Sequence, residues 1–296
     1  MSDIADNKAS RRLVSLDAYR GAIMISLISH GFGFSAFEGH PYLHFLAHQT
    51  EHVPWEGCVY WDLIQPSFMF MVGVAMPFAY AKRISLGESH GKIVLHALRR
   101  SFNLFLIAAI FSSIHAEHPT YTLVNVLPQI AFGYLMTHFV LHKGFLTQGI
   151  TATVILIVYT IAWILYPGNG DGGPWAMGHA NMGGDFELWA MGKQSSGYWV
   201  SLNAIPSTST IIAGAMCGRL LAGDKTPGEI IKTLAIAAGC LIAAGYMLGF
   251  PIPIVKRILT ASFAVYSTGW AILFLLCFYW IVDVLGWKRW TFFLVV

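Results

Sequence analysis

The sequence predicts an all-α fold, a polytopic transmembrane bundle of about eight helices plus the start of a ninth, and three observations predict it. Of 296 residues, 56% are apolar and only 11% are charged, against the ~25% typical of soluble domains. Mean hydropathy is +0.59, more than polar surface can cover. Apolar runs of the ~20 residues needed to cross a bilayer recur along the whole chain, with no internal repeat or low-complexity linker between them. Residues 1–296 therefore read as one transmembrane domain, lacking its C-terminal helices.

The first span, 13–36, follows Lys8, Arg11 and Arg12 as a signal peptide would. It holds polar residues, has no A-x-A cleavage site and precedes further spans, so it is kept as a membrane helix. Asp17 and Arg20 lie one turn apart in it, spaced for a salt bridge that fixes packing or leaves Arg20 partly open to an anionic cosubstrate. His30 stands near its outer end beside "GFG", where thin packing leaves room for a ligand.

The next loop, "GHPYLHFLAHQTEHVPWEG", places His40, His44, His48 and His52 four residues apart. On a helix this stacks all four rings on one face. Pro41 suits a helix start and Pro54 disfavours helix at Val53, so the stripe is expected to cover about three turns with His52 at its end. Metal site, pH sensor, catalytic base and polar surface are the readings open to it. Catalytic zinc needs three ligands and carboxylate support, and no metal is expected. His52 is set apart by "VPWEG", which aims it at the mouth of the second span, 60–81. There Asp62, followed by Pro66, can orient a histidine or be a carboxylate capped by local donors. A histidine with Asp62 or Glu51 beside it has what a general base requires.

Spans at 101–116, 123–142 and 148–166 follow, with Arg83, Arg99 and Arg100 between the second and third. The loop 167–202 opens "GNGDGGPWAMGHANMGG", a density of glycine, proline and asparagine that predicts turns rather than helix. The sixth span, 203–222, opens with Asn203 and "AIPSTST", small hydroxyl residues that glue helices together in lipid. A seventh span covers 230–250 and an eighth 260–284. Lys256 and Arg257 between them are expected to snorkel to headgroups, with an anionic sugar as the other reading. "RWTFFLVV" starts a ninth apolar run. Cys58, Cys217, Cys240 and Cys277 have no metal or disulfide spacing.

Orientation follows from lysine and arginine. With the N-terminus cytoplasmic, fourteen of these residues fall inside and three, Lys193, Lys256 and Arg257, outside, which predicts an integral membrane protein with a cytoplasmic N-terminus. The basic residues thus speak about topology, and nucleic acid is not an expected partner.

"RRLVSLDAYRGAIMI", "HVPWEGCVYWDLIQPSFMFMVGVAM", "SLNAIPSTSTIIAGAMCGRLLAG" and "KRILTASFAVYSTGWAILFLLCFYWIVDVLGWKRW" together resemble the heparan-alpha-glucosaminide N-acetyltransferase family, including its bacterial members. The most specific stretch is H-x-x-W-x-G-x-x-x-x-D-x-x-x-P-x-F. The resemblance implies transfer of an acetyl group from cytoplasmic acetyl-CoA to the amine of a glucosamine-type sugar on the far side of the membrane. It implies His52 as the active-site histidine and Asp62 as the motif aspartate, with His30, one residue out of register, nearest to the family's polar residue on the first helix. Gln65 departs from the phenylalanine common before the motif proline.

From placement, Arg20, Arg83, Arg99 and Arg100 are expected to meet acetyl-CoA phosphates. Trp55 and Asn203 are expected to line the sugar site. The expected surroundings are an amino sugar or oligosaccharide and the bilayer, and the reading admits a homodimer. A sugar O-acyltransferase of the wider superfamily and a small-molecule transporter are the alternatives.

Overall fold

A computed structural model describes residues 13–114 and 124–295. Among them the chain is helical, with one isolated antiparallel bridge, Glu56 to Val255, in place of any sheet. The helices are α1 (Val14–Ile28), the short α2 (His44–Gln49), α3 (Tyr60–Ser85), α4 (His90–Ser113), α5 (Val126–Val140), α6 (Phe145–Leu165), α7 (Met182–Met191), α8 (Ala204–Ala222), α9 (Pro227–Leu248) and α10 (Ala261–Phe278). The last continues as a π-helical turn, Tyr279–Val284.

Every predicted span falls on a helix. Five are long and apolar enough to cross a membrane: α3, α4, α6, α9 and α10 with its π turn. Helix α5 is apolar but shorter, α1 has 15 residues, and the hydroxyl residues of α8 dilute its apolarity. The outward faces of α4 and α6 expose Phe102, Phe105, Phe111, Ile150, Val158 and Ile161, as lipid-facing helices do. The coarse expectation of a helical membrane protein therefore holds.

Helices α3 and α8 form the centre. A Cβ on Gly214 would stand 2.1 Å from the Phe70 carbonyl oxygen, and one on Gly218 2.2 Å from that of Val74. Only glycine allows this approach, the small-xxx-small packing of membrane helices. The hydroxyls of α8 turn inward on their own backbone: Ser207 donates to the Asn203 carbonyl and Thr208 to that of Ala204. Around this pair one apolar cluster joins α1, α3, α8, α9 and α10, and a second joins α3, α4, α5 and α8.

Four local expectations are corrected. The first helix ends at Ile28, well before 36, because His30, Gly31, Phe32 and Gly33 take left-handed backbone angles that no α-helix continues through. Helix α4 begins at His90, so Arg99 and Arg100 lie within it rather than in a loop. The loop 167–202 contains α7, because the Asn181 carboxamide accepts the Gly184 N–H and caps a helix that glycine content alone disfavours. The final described residues form a 3-10 turn, Arg289–Phe293, in place of a starting α-helix. It folds back so that the Leu294 carbonyl rests where a Cβ of Gly21 would be. The basic residues Lys8, Arg11 and Arg12 that anchor the predicted orientation lie outside the described residues.

Candidate active site

The site is built where the N-terminal end of α3 meets the loop between α9 and α10. Within "HVPWEG" the backbone must reverse before α3 begins, and Gly57 does so at φ 115°, an angle costly for any residue with a Cβ. Two contacts then staple this turn to the distant loop: the Glu56–Val255 bridge and the Gly57 N–H donated to the Ile254 carbonyl at 2.8 Å. Beneath them Trp55 is buried against Tyr159, Trp163, Val200, Val255 and Ile258, its indole N–H donated to the Trp175 carbonyl.

This arrangement brings His52, Asp62 and Lys256 together. His52 Nδ1 lies 2.7 Å from Asp62 Oδ1. The other carboxylate oxygen accepts the Val59 N–H at 3.2 Å, so Asp62 also closes the first turn of α3. Lys256 Nζ stands 3.4 Å from Asp62 Oδ1 and 3.4 Å from His52 Nδ1. We assign the Nδ1 proton to the His52–Asp62 bond, because an imidazole nitrogen that donates to the carboxylate has no lone pair left for the ammonium. Asp62 therefore receives both donors.

Burial separates the three. Asp62 and Lys256 side chains are 1% and 6% exposed, whereas His52 is 39% exposed. Burial pulls the Lys256 ammonium down from its ordinary 10.5 to about 8, against the opposing pull of Asp62. The loop that presents Lys256 is pinned: the Val255 N–H donates to Thr260 Oγ1, the Thr260 hydroxyl to the Pro253 carbonyl, and the Tyr159 hydroxyl to the Ile258 carbonyl. Leu259 holds φ 50° to close the turn. Beside them burial pushes the Cys58 thiol up to about 12, which denies it a thiolate at neutral pH.

His52 and Lys256 line a cavity of about 310 Å³. Trp61, Ile64, Gln65 and Phe68, at positions i, i+3, i+4 and i+7 of α3, make one wall. Trp199 faces them. Its ring meets His52 edge-on at 5.9 Å and lies under Lys256 at 5.5 Å and Arg257 at 5.7 Å, within cation–π range. Gln65 hydrogen-bonds to the fully buried Gln129 of α5, which donates to the Val124 carbonyl.

The other residues singled out in the sequence lie elsewhere. His30 is exposed beyond the end of α1 and does not line the cavity. Trp55 supports the turn from below, and Asn203 is wholly buried at the start of α8 with no hydrogen-bond partner for either amide atom. Arg20 pairs with Asp17 at 3.7 Å, Arg83 with Glu88 at 2.9 Å, and Arg100 lies over the Tyr134 ring. Arg99 is exposed. None of these four arginines lines the cavity. His40 accepts the Tyr42 and Leu43 N–H groups, and His44 bonds the Glu38 carbonyl. The four-residue stripe is thus not one helix face, since α2 spans only His44–Gln49. His115 and His118 lie outside the described residues. Among the described residues no three His, Cys, Asp or Glu side chains converge to hold a metal ion.

Lys256 is the residue that sequence reasoning assigned to headgroups and the structure places beside Asp62. One signal pointed to it: it is among the few cations on the side where the charge bias allows almost none.

Comparison with known protein families finds no matching family model, and no curated protein matches the chain.

Proposed function

We propose that this protein is a membrane acetyltransferase that moves an acetyl group from cytoplasmic acetyl-CoA to the amine of a glucosamine-type sugar on the extracytoplasmic side. The observation that supports this reading best is the 2.7 Å contact of His52 with a buried carboxylate at the wall of a cavity. The resemblance of "HVPWEGCVYWDLIQPSF" to the acetyltransferase motif points the same way. The positive-inside distribution supports a reading with this end outside and the N-terminus in the cytoplasm.

The chemistry follows from the tautomer. With Nδ1–H held by Asp62, Nε2 is the ring nitrogen left to accept a proton. The acceptor amine attacks the thioester carbonyl carbon, forming the C–N bond, and gives its proton to Nε2. The C–S bond then breaks and the leaving sulfur takes that proton back. Asp62 stabilises the imidazolium between the two steps, and Lys256 offsets the carboxylate charge that would otherwise be buried alone. Trp61 and Trp199 offer apolar faces on either side of His52 for a sugar ring.

The test supplies labelled acetyl-CoA to membranes with and without amino sugars. Label is expected on a sugar nitrogen, lost in His52→Ala. Label that persists in that variant sinks the site assignment, and no label on any acceptor sinks the transferase reading.

A further inference from the structure

A second and larger cavity lies away from His52. It is a crevice of about 500 Å³ between α6 and α9, floored by α8 and α10, with Cys217, Leu220, Leu234, Ala264 and Ile272 buried along its base. The hydroxyls that border it are already used. Thr153 donates to the Gly149 carbonyl, Thr233 to that of Glu229 and Ser209 to that of Pro206, while Thr268 pairs with Thr210. The crevice therefore offers methyl and methylene surface to its occupant.

Its dimensions and its charges are asymmetric. Along α6 the lining runs from Phe145 to Leu156, roughly 17 Å at 1.5 Å per residue, about half of a ~30 Å hydrocarbon core. It is one leaflet deep. At its Phe145 end Lys225 lines the crevice, and Arg219 lies over the Phe145 ring at 4.7 Å. Lys143 and Lys232 are close in sequence, against Asp224 and Glu229, and Glu229 is engaged by Thr226. Lys225 is the charged side chain that lines this end of the crevice, with Arg219 held beside it by the Phe145 ring and by its hydrogen bond to the Lys143 carbonyl. A second, shallower groove on the outer side of α6 shares Phe145, Gly149 and Thr153 with the crevice.

We infer that this crevice is a binding site for one anionic glycerophospholipid: one acyl chain fills the crevice, the other lies in the shallow groove across Gly149, and the phosphate meets Lys225 and Arg219. Gly149 is the notch that lets the two chains straddle α6. A Cβ there would meet only the Met216 methyl, at 4.0 Å, so alanine fits the fold and a longer side chain grows into the space proposed for the lipid.

The test is native mass spectrometry of the delipidated protein titrated with phosphatidylglycerol or with phosphatidylcholine. Wild type is expected to hold one phosphatidylglycerol with ~30-fold preference over phosphatidylcholine, the size that two basic groups at a headgroup provide. Gly149→Phe is expected to lose the bound lipid while Gly149→Ala keeps it, and Lys225→Gln with Arg219→Gln to remove the preference. Should Gly149→Phe unfold, Ala237→Leu fills the crevice from the α9 side. Equal binding of both lipids by wild type, undiminished binding by a folded crevice-filled variant, or retention of a CoA thioester in place of a phospholipid overturns the proposal.

Discussion

The charges at the two ends of the bundle are handled in opposite ways. At the end away from the site, ionic partners are near neighbours in sequence: Arg20 with Asp17, and Arg83 with Glu88. At the site end, Lys256 reaches His52 across 204 residues of sequence and is buried with Asp62. Pairs that close within a turn or a short loop fix local backbone, and solvent screens them. A pair that closes across the whole fold must justify the desolvation of both members. The difference sets the candidate site apart as the end where the fold holds a buried charge pair.

Replacing residues at each end probes this contrast. The largest effect is expected from His52→Ala: a loss of activity of about 10⁴-fold, with thermal stability near wild type because the ring is partly exposed. A melt that collapses would show His52 to be structural. Next comes Asp62→Ala, expected to cut activity by ~10³-fold and stability by about 3–5 kcal/mol, since Lys256 is left as an unpaired buried ammonium. The double variant Asp62→Leu with Lys256→Met is expected to regain most of that stability without regaining activity. Chemical denaturation and turnover together check this.

Lys256 supplies a pH test. Its ammonium loses its proton as pH rises through about 8, and Asp62 then loses its counter-charge. Activity is therefore expected to fall on the alkaline side of that value. Lys256→Arg keeps the charge through this window and is expected to move the limb upward. An unchanged pH profile in Lys256→Arg would separate Lys256 from the reaction. The smallest effects belong to the other end. Arg20→Ala and Arg99→Ala are each expected to raise the KM for acetyl-CoA by no more than about 5-fold, the worth of one exposed charge contact. A fall in kcat with KM unchanged would argue that they act on the chemistry instead.

The helices were legible because hydropathy is a local property: each of the eight predicted spans falls on a helix, with ends set by features that windows do not see. Four left-handed residues, His30 to Gly33, ended α1 early, and a single asparagine cap started α7 inside a glycine-rich loop. His52 and Asp62 were legible as a motif because they sit ten residues apart on either side of one turn. Lys256 was not, since its neighbourhood depends on the bridge between Glu56 and Val255, which no local pattern records. The even spacing of His40, His44 and His48 suggested more order than exists. The His40 and His44 rings bond the irregular backbone around α2, and His52 is the member of the series that lines the cavity. Trp199, which meets His52 from the loop between α7 and α8, had no signal beyond its aromatic side chain.

The staple between Glu56 and Val255 also sets a schedule for biosynthesis. At the ~5–20 residues per second of translation, roughly 10–40 s separate the emergence of the first strand of that bridge from its partner. Throughout that interval the Asp62 carboxylate has no lysine, and its position in the first turn of α3 keeps it at the membrane edge, where water can serve instead. The nascent chain thus lacks the complete candidate site until the α9–α10 hairpin is inserted. Whatever delays that insertion delays assembly of the His52–Asp62–Lys256 cluster, and a ribosome stalled before Lys256 leaves a chain that holds the histidine and lacks the cluster.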